Sequence, residues 1–331
     1  MISIDLIKHA CEQLGIDPFA RGLQIANAAE IARSHYPPFD PARPALIAPI
    51  ENRETLLNIK RVVSLTYSPS HTLTFIPSRQ TISLENLDRV HDLNSDTALY
   101  LAPRKDAGSF YALAEIVARL RAPDGCEWDR AQTRGTMRTF LLEEAYEVVE
   151  AIERGEVEHL REELGDLLFH IFFQAQVASE TNEFCLPDIA RDISAKLVRR
   201  HPHIFGDARV NGIGELLEQW ERIKRSEKPE EKNGKPDLPR ALPALMRAQK
   251  IAEKTKTRVN LKKIAANVEK LSRAKNKEEK LGEVLFALAA YAEEKKLDAE
   301  SALRAAAGKN LTAKHALSEA NGTQRARRKN R

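Results

Sequence analysis

The sequence predicts a mainly α protein, a helix bundle preceded by a small α/β segment. Three observations carry that expectation. Apolar residues recur at helical spacing from 106 to 226 and again from 241 to 306. Before residue 105 the pattern breaks into short strand-like runs, HTLTFIPS (His71 to Ser78) and TALYLAP (Thr97 to Pro103), among shorter helical stretches. Between the two helical regions lies KPEEKNGKPDLPR (Lys228 to Arg240), charged and interrupted by three prolines.

Taken in order, residues 1–105 form the α/β segment, with Pro37, Pro38, Pro41 and Pro44 marking a connection. Residues 106–226 form a helical domain. Residues 227–240 are a linker. Residues 241–306 form a second helical region, and residues 307–331 a basic disordered tail. That tail ends in TQRARRKNR, with five basic residues in the last seven and no apolar anchor beyond Ala326.

Composition excludes several classes. A chain of 331 residues with 42% hydrophobic content can bury a core, and a net charge of +4 does not by itself argue for nucleic-acid binding. Cys11, Cys126 and Cys185 are odd in number, far apart and without a CxxC pair, so neither a disulfide framework nor a zinc site is expected. A reducing, cytoplasmic setting fits. MISIDLIKHACEQL lacks the apolar core of a secretory leader, and no run reaches the ~18 apolar residues of a membrane span.

The chemistry concentrates on two consecutive helical stretches, LLEEAYEVVEA (Leu141 to Ala151) and LREELGDLLFHI (Leu160 to Ile171). At about 100° per residue, Leu141, Ala145, Val148 and Ile152 share one stripe, with Glu144 and Glu147 beside it. Glu143 and Glu150 point further round, toward water. On the second helix Leu160, Leu164, Leu167 and Ile171 form the stripe, with Glu163 and Asp166 at its edge. Gly155 suits a turn between them. Antiparallel packing on the stripes would gather four carboxylates, which repel unless a cation neutralises them. A single acid pair on a helix is ordinarily a solvated face. Two pairs at one angular position on otherwise apolar helices favour a metal, and oxygen-only donors select a hard ion, Mg²⁺ or Mn²⁺.

One internal repeat is visible: EELGDLLF (Glu162 to Phe169) returns as EKLGEVLF (Glu279 to Phe286). The alignment puts Lys280 opposite Glu163 and Glu283 opposite Asp166. No EExxE precedes the second copy. A lysine at a ligand position opposes metal binding, so this copy is expected to be structural.

The acids and their surroundings resemble the MazG family of nucleoside triphosphate pyrophosphohydrolases. The resemblance rests on Glu143, Glu144 and Glu147 as EExxE, then Glu163 and Asp166 as ExxD. It extends to DGCEWDRAQT (Asp124 to Thr133), KLVRRHPHIFGD (Lys196 to Asp207), WERIK (Trp220 to Lys224) and LPALMRAQKI (Leu242 to Ile251). It covers about residues 109 to 260 well and 261 to 306 weakly. Glu127 stands where the family has proline. The resemblance implies an all-α, usually dimeric bundle that converts an NTP and water to NMP and diphosphate, and since no motif reads a base edge, broad base specificity is expected. The implied metal ligands are Glu144, Glu147, Glu163 and Asp166, and either Glu143 or Glu144 takes the water's proton. Lys196, Arg199 and Arg200 would hold phosphates, with Trp220 stacking on the base and Lys224 one turn beyond. His201 and His203 are read as structural or supporting polar groups, and His170 as packed.

Residues 1–105 resemble the C-terminal half of a tetrapyrrole methylase domain, through RPALIAP, the run from Glu54 to Ser78, and ISLENLDR (Ile82 to Arg89). The Gly-rich half that would bind S-adenosylmethionine is absent from this sequence, so no methyl transfer is expected. Two other readings compete with the enzyme: a non-catalytic helical scaffold, and a nucleic-acid-associated protein using its basic tail. Nucleic acid is not expected as a partner beyond weak, salt-sensitive tail contacts.

Overall fold

In the computed structural model the described residues are 4–17, 19, 22–106, 108–227 and 238–309. The expected linker, for residues 228–237, and the expected basic tail, from 310 on, lie outside them. The chain divides into two compact units, residues 1–197 and 198–331.

The first unit begins with helix α1 (Ile4–Leu14), strand β1 (Gln24–Asn27) and helix α2 (Ala28–Arg33). Asn27 ends the strand and caps the helix, its side chain accepting from the amides of Ala29 and Glu30. Strand β2 (Ala45–Ala48) reads ALIA and is buried along its whole length, the pattern of a strand covered on both faces. Helix α3 (Arg53–Val63) follows, capped by Asn52. Then come β3 (Thr72–Ile76), β4 (Thr81–Ser83), a 3-10 turn at Leu84–Arg89, and β5 (Ala98–Leu101). Both strand-like runs of the sequence are strands.

The five strands form one mixed sheet in the order β1-β2-β5-β3-β4. β1 and β2 run parallel and the remaining pairs antiparallel. Alternating side chains divide the core between the two faces. Ala45, Ile47, Leu73, Phe75, Leu99 and Leu101 pack with Ile31, Leu56, Ile59 and Val62 from α2 and α3. Leu46, Ala48, Ile76 and Ala98 point the other way, toward Ala10, Ile7 and Leu14 of α1.

The chain then turns wholly helical. Ser109 caps α4 (Phe110–Arg121) and also donates to Asp40 Oδ2 at 2.5 Å, tying that helix to the sheet part. A short α5 (Glu127–Ala131) leads to α6 (Arg138–Arg154). Gly155 ends α6 at φ +69°, a left-handed conformation that costs glycine little. With only Gly155 and Glu156 between them, α6 and α7 (Val157–Glu180) are neighbours packed along each other. Helix α8 (Leu186–Arg200) follows. Val117, Met137, Phe172 and Phe173 form this region's core. Arg121 closes it: its side chain is nearly buried, bonds Glu180 at 2.7 Å, and lies 5.0 Å from the Phe173 ring centroid.

The interior of the α6–α7 pair differs from the wheel in one respect. The apolar stripes are not what it buries. Ile152 is 59% exposed, Leu164 47% and Ile171 41%, while Ala151, Glu163 and His170 are buried. The helices meet along the flank that carries the acids, which leaves part of each apolar stripe on the outside of the single chain.

In the second unit α9 (Pro202–Phe205) and α10 (Gly212–Ser226) precede three packed helices, α11 (Ala244–Thr255), α12 (Leu261–Arg273) and α13 (Lys277–Glu294). Asn260 and Asn276 cap α12 and α13. Val284, Ala287, Ala289 and Ala290 of α13 are buried, as are Ala252 of α11 and Ile264 of α12, and α13 packs against both of those helices. The small alanines let the helices approach closely.

Candidate active site

The carboxylates that the sequence singles out come from facing positions on α6 and α7. Oxygen atoms of Glu144, Glu163 and Asp166 all lie within 4.8 Å of one another. Glu147 joins them through a hydrogen bond between its side chain and that of Glu144. Glu143 is exposed and stands outside the trio.

Glu163 is only 7% exposed, which is unusual for an acid. The helix turn supplies its partner: His159 Nε2 is 2.8 Å from Glu163 Oε1, and His159 Nδ1 is 3.2 Å from Glu156 Oε2. An imidazole can donate from both nitrogens only when protonated. Desolvation opposes that charge, but the hydrogen bonds and fields of Glu156 and Glu163 outweigh it and raise the histidine's pKa. His159 is a site neighbour that the sequence reading missed, although its i,i+4 spacing from Glu163 was there to be seen.

Glu144 feels the crowding most. Its pKa is pushed up to about 7, first by desolvation, then by the charges of Asp166, Glu147 and Glu163 and by the hydrogen bond with Glu147. A carboxyl held protonated near neutrality by desolvation and by three neighbouring acids marks a site short of positive charge. The donor set therefore fits a hard divalent cation.

His170, one turn beyond Asp166, is buried as expected, and burial lowers its pKa. Its Nδ1 has no hydrogen-bond partner in the structure.

The basic residues form a second grouping. Lys196 is half-buried on α8, one turn before Arg200. Within the second unit Arg199, Arg200, Trp220 and Lys224 come together. The Arg200 guanidinium lies 5.8 Å from the Trp220 ring centroid, and the Lys224 amine 4.5 Å from it. Trp220 is half-buried rather than core. Both arginines pair with Glu227, a residue that no motif of the sequence reading had marked. His201 and His203 sit with ring centroids 5.6 Å apart at the start of α9.

The crowding is absent at the aligned positions of EKLGEVLF. Lys280 Nζ bonds Glu283 at 2.5 Å and Asn267 Oδ1 at 3.3 Å, so the position of Glu163 carries a satisfied ammonium.

Residues 132–205 match the MazG nucleotide pyrophosphohydrolase domain. A stretch of 219 residues is 38% identical to the nucleoside triphosphate pyrophosphohydrolase/pyrophosphatase MazG of Thermotoga maritima, covering 62% of this chain and 84% of that protein. This chain belongs to the MazG family. Two further relatives share less of their length with it. The nucleoside triphosphate pyrophosphohydrolase of Escherichia coli strain K12 is 48% identical over 43% of this chain and 55% of its own. The uncharacterized protein YabN of Bacillus subtilis strain 168 is 38% identical over 52% of this chain, but this chain spans only 36% of that protein. The MazG match takes in α6 to α9 and so includes all five acids.

Proposed function

We propose that this MazG chain hydrolyses nucleoside triphosphates to the monophosphate and diphosphate, with Mg²⁺ as the working ion and Mn²⁺ as a substitute. The observation that supports this most is the convergence of Glu144, Glu163 and Asp166 on one centre. Those three residues and Glu147 are the proposed ligands. The bound ion would supply neutralisation of phosphate charge and activation of water.

The chain's own groups do the rest. Water attacks the α-phosphorus, the bond from that phosphorus to the α–β bridging oxygen breaks, and diphosphate leaves. Glu143 is assigned the water's proton, because Glu144 is taken up in the cluster while Glu143 is exposed beside it. Lys196, Arg199 and Arg200 hold the phosphates, Trp220 offers a face to the base, and Lys224 extends the basic surface.

Phosphates and a π-face are common to every nucleotide, so specificity is broad, with catalytic efficiencies spread by roughly tenfold to a hundredfold. The cellular role is nucleotide-pool housekeeping in the cytoplasm. No helix among the described residues is long and apolar enough to cross a membrane. The exposed apolar residues Leu142, Tyr146, Leu164 and Ile171 on α6 and α7 support a homodimer. The sheet part is read as resembling the C-terminal half of a tetrapyrrole methylase domain.

The experiment is diphosphate release from a panel of eight NTPs and dNTPs, with Mg²⁺ and with EDTA, for wild type, Glu163→Gln and Glu150→Gln. Glu163→Gln is expected to lose at least a hundredfold in kcat. Glu150, exposed and paired with Arg154, should tolerate the change. Release that survives EDTA, or equal loss in both variants, would refute the metal assignment, and no release from any nucleotide would refute the activity.

A further inference from the structure

The arginines assigned to the substrate already hold an anion of the chain's own. Arg199 donates to Glu227 Oε1 from Nε at 2.7 Å, and its Nη2 lies 2.7 Å from the same oxygen. Arg200 donates to Glu227 Oε2 from Nε at 2.9 Å and from Nη2 at 2.5 Å. Two guanidinium edges thus close on one carboxylate from either side. Glu227 is the C-cap of α10, so its backbone is set by the helix that carries Trp220 and Lys224. Its side chain is 16% exposed and that of Arg200 22%. The hydrogen bond from Arg200, aided by the one from Arg199 and working against desolvation, holds the Glu227 carboxyl below the usual range.

A guanidinium edge donates to the oxygens of a carboxylate and of a phosphate alike. The seat that Glu227 fills is therefore a phosphate seat. The geometry points to Glu227 as an internal competitor that sets the affinity of the Arg199–Arg200 seat for phosphate groups. This rests on the reading of those arginines as triphosphate ligands.

Two consequences follow from the chemistry. The arginines stay oriented and neutralised while substrate is away, so weak anions gain little by binding. A ligand enters only if it offers more charge than one carboxylate. A triphosphate does so by a wide margin and a nucleoside monophosphate, close to a dianion near pH 7, by a narrow one. Each ligand must displace the same carboxylate, so Glu227 weakens triphosphate and monophosphate by a common factor and speeds product release.

The test measures binding by calorimetry in the full-length protein with Mg²⁺ present. The probes are an α,β-methylene nucleoside triphosphate, which the proposed reaction does not cleave, and the matching monophosphate. The variants are Glu227→Gln, Glu227→Ala and, as a control for net charge on the same helix, Glu218→Gln, each checked for unchanged thermal unfolding. Removing the competitor should tighten the triphosphate analogue and the monophosphate by a similar factor, about threefold to tenfold each. Glu218→Gln should change neither by more than about twofold. A wild type that binds the analogue while both Glu227 variants bind it equally or more weakly overturns the inference, since Glu227 would then only position the arginines. Equal tightening by Glu218→Gln overturns it too. A folded wild type that binds neither probe refutes the functional reading itself.

Discussion

The carboxylate cluster should destabilise the metal-free protein, and a single neutral substitution should reveal it. Glu144 has a folded pKa of about 7 against an ordinary 4.5, a difference of about 2.5 units. At about 1.36 kcal/mol per unit the ceiling is roughly 3.4 kcal/mol. Solvent screening and sharing of the proton with Glu147 bring the expectation to about 1–3 kcal/mol. The folded state binds the proton more tightly than the unfolded state, so raising the pH works against folding. The penalty is absent below about pH 4.5, grows as the pH rises from 4.5 to 7, and is complete above 7. Glu144→Gln removes it. In EDTA at pH 8 the variant should melt roughly 3–10 °C above wild type, and near pH 4.5 the two should coincide. Added Mg²⁺ should stabilise wild type and reverse the order, because the variant has lost a charged ligand. Thermal unfolding followed by circular dichroism at both pH values, with and without Mg²⁺, reads all four cases. A variant no more stable than wild type at pH 8 without metal would refute the argument from repulsion. Equal stabilisation of both proteins by Mg²⁺ would show that the ion binds elsewhere.

Three further outcomes are expected. Glu143→Gln should lower kcat by about a hundredfold or more while Mg²⁺ still shifts the melting temperature, and loss of that shift would move Glu143 from proton acceptor to ligand. Glu283→Gln should leave turnover within about twofold of wild type, because Glu283 is engaged with Lys280; a larger drop would mean that the second copy takes part in the reaction. Glu180→Gln should cost about 1–3 kcal/mol at pH 7 by leaving Arg121 short of a partner. Arg121 depresses the Glu180 pKa, so that stability is fully present above about pH 4.5 and is lost as the pH falls through the depressed value. A cost to unfolding that stays constant down to pH 3 would exclude the ion pair as its source.

Much of the site was legible because its information is local. The spacing of Glu144, Glu147, Glu163 and Asp166 along two helices puts acids on matching flanks, and only a short turn at Gly155 is needed to bring them together. Strands β3 and β5 were legible for a similar reason, since β-branched and apolar residues concentrate in short runs bounded by proline or polar turns. The wheel failed on which flank the helices share. Angular position ranks residues by polarity, and polarity argued for packing on leucines. It does not register that an acid with a histidine one turn away, as Glu163 has in His159, can be taken inside. Glu227 was missed because its importance lies in pairing across 28 and 27 residues, with Arg199 and Arg200, which no helical period encodes.

On the reading of EKLGEVLF as a copy of EELGDLLF, the ion pair between Lys280 and Glu283 bears on how a duplicated segment drifts. In the first copy the crowded acids leave a fold that depends on its surroundings for charge balance. In the second, one lysine supplies that balance from within. Such a change relaxes selection on the other acids at once, because none is any longer required to share an ion. Helix α12 retains a single acid, Glu269, among its thirteen residues. Reverting Lys280 to glutamate would then recover a repulsion without recovering a site. The exchange acts as a ratchet: easy to enter by one mutation, and closed behind by the losses it permits.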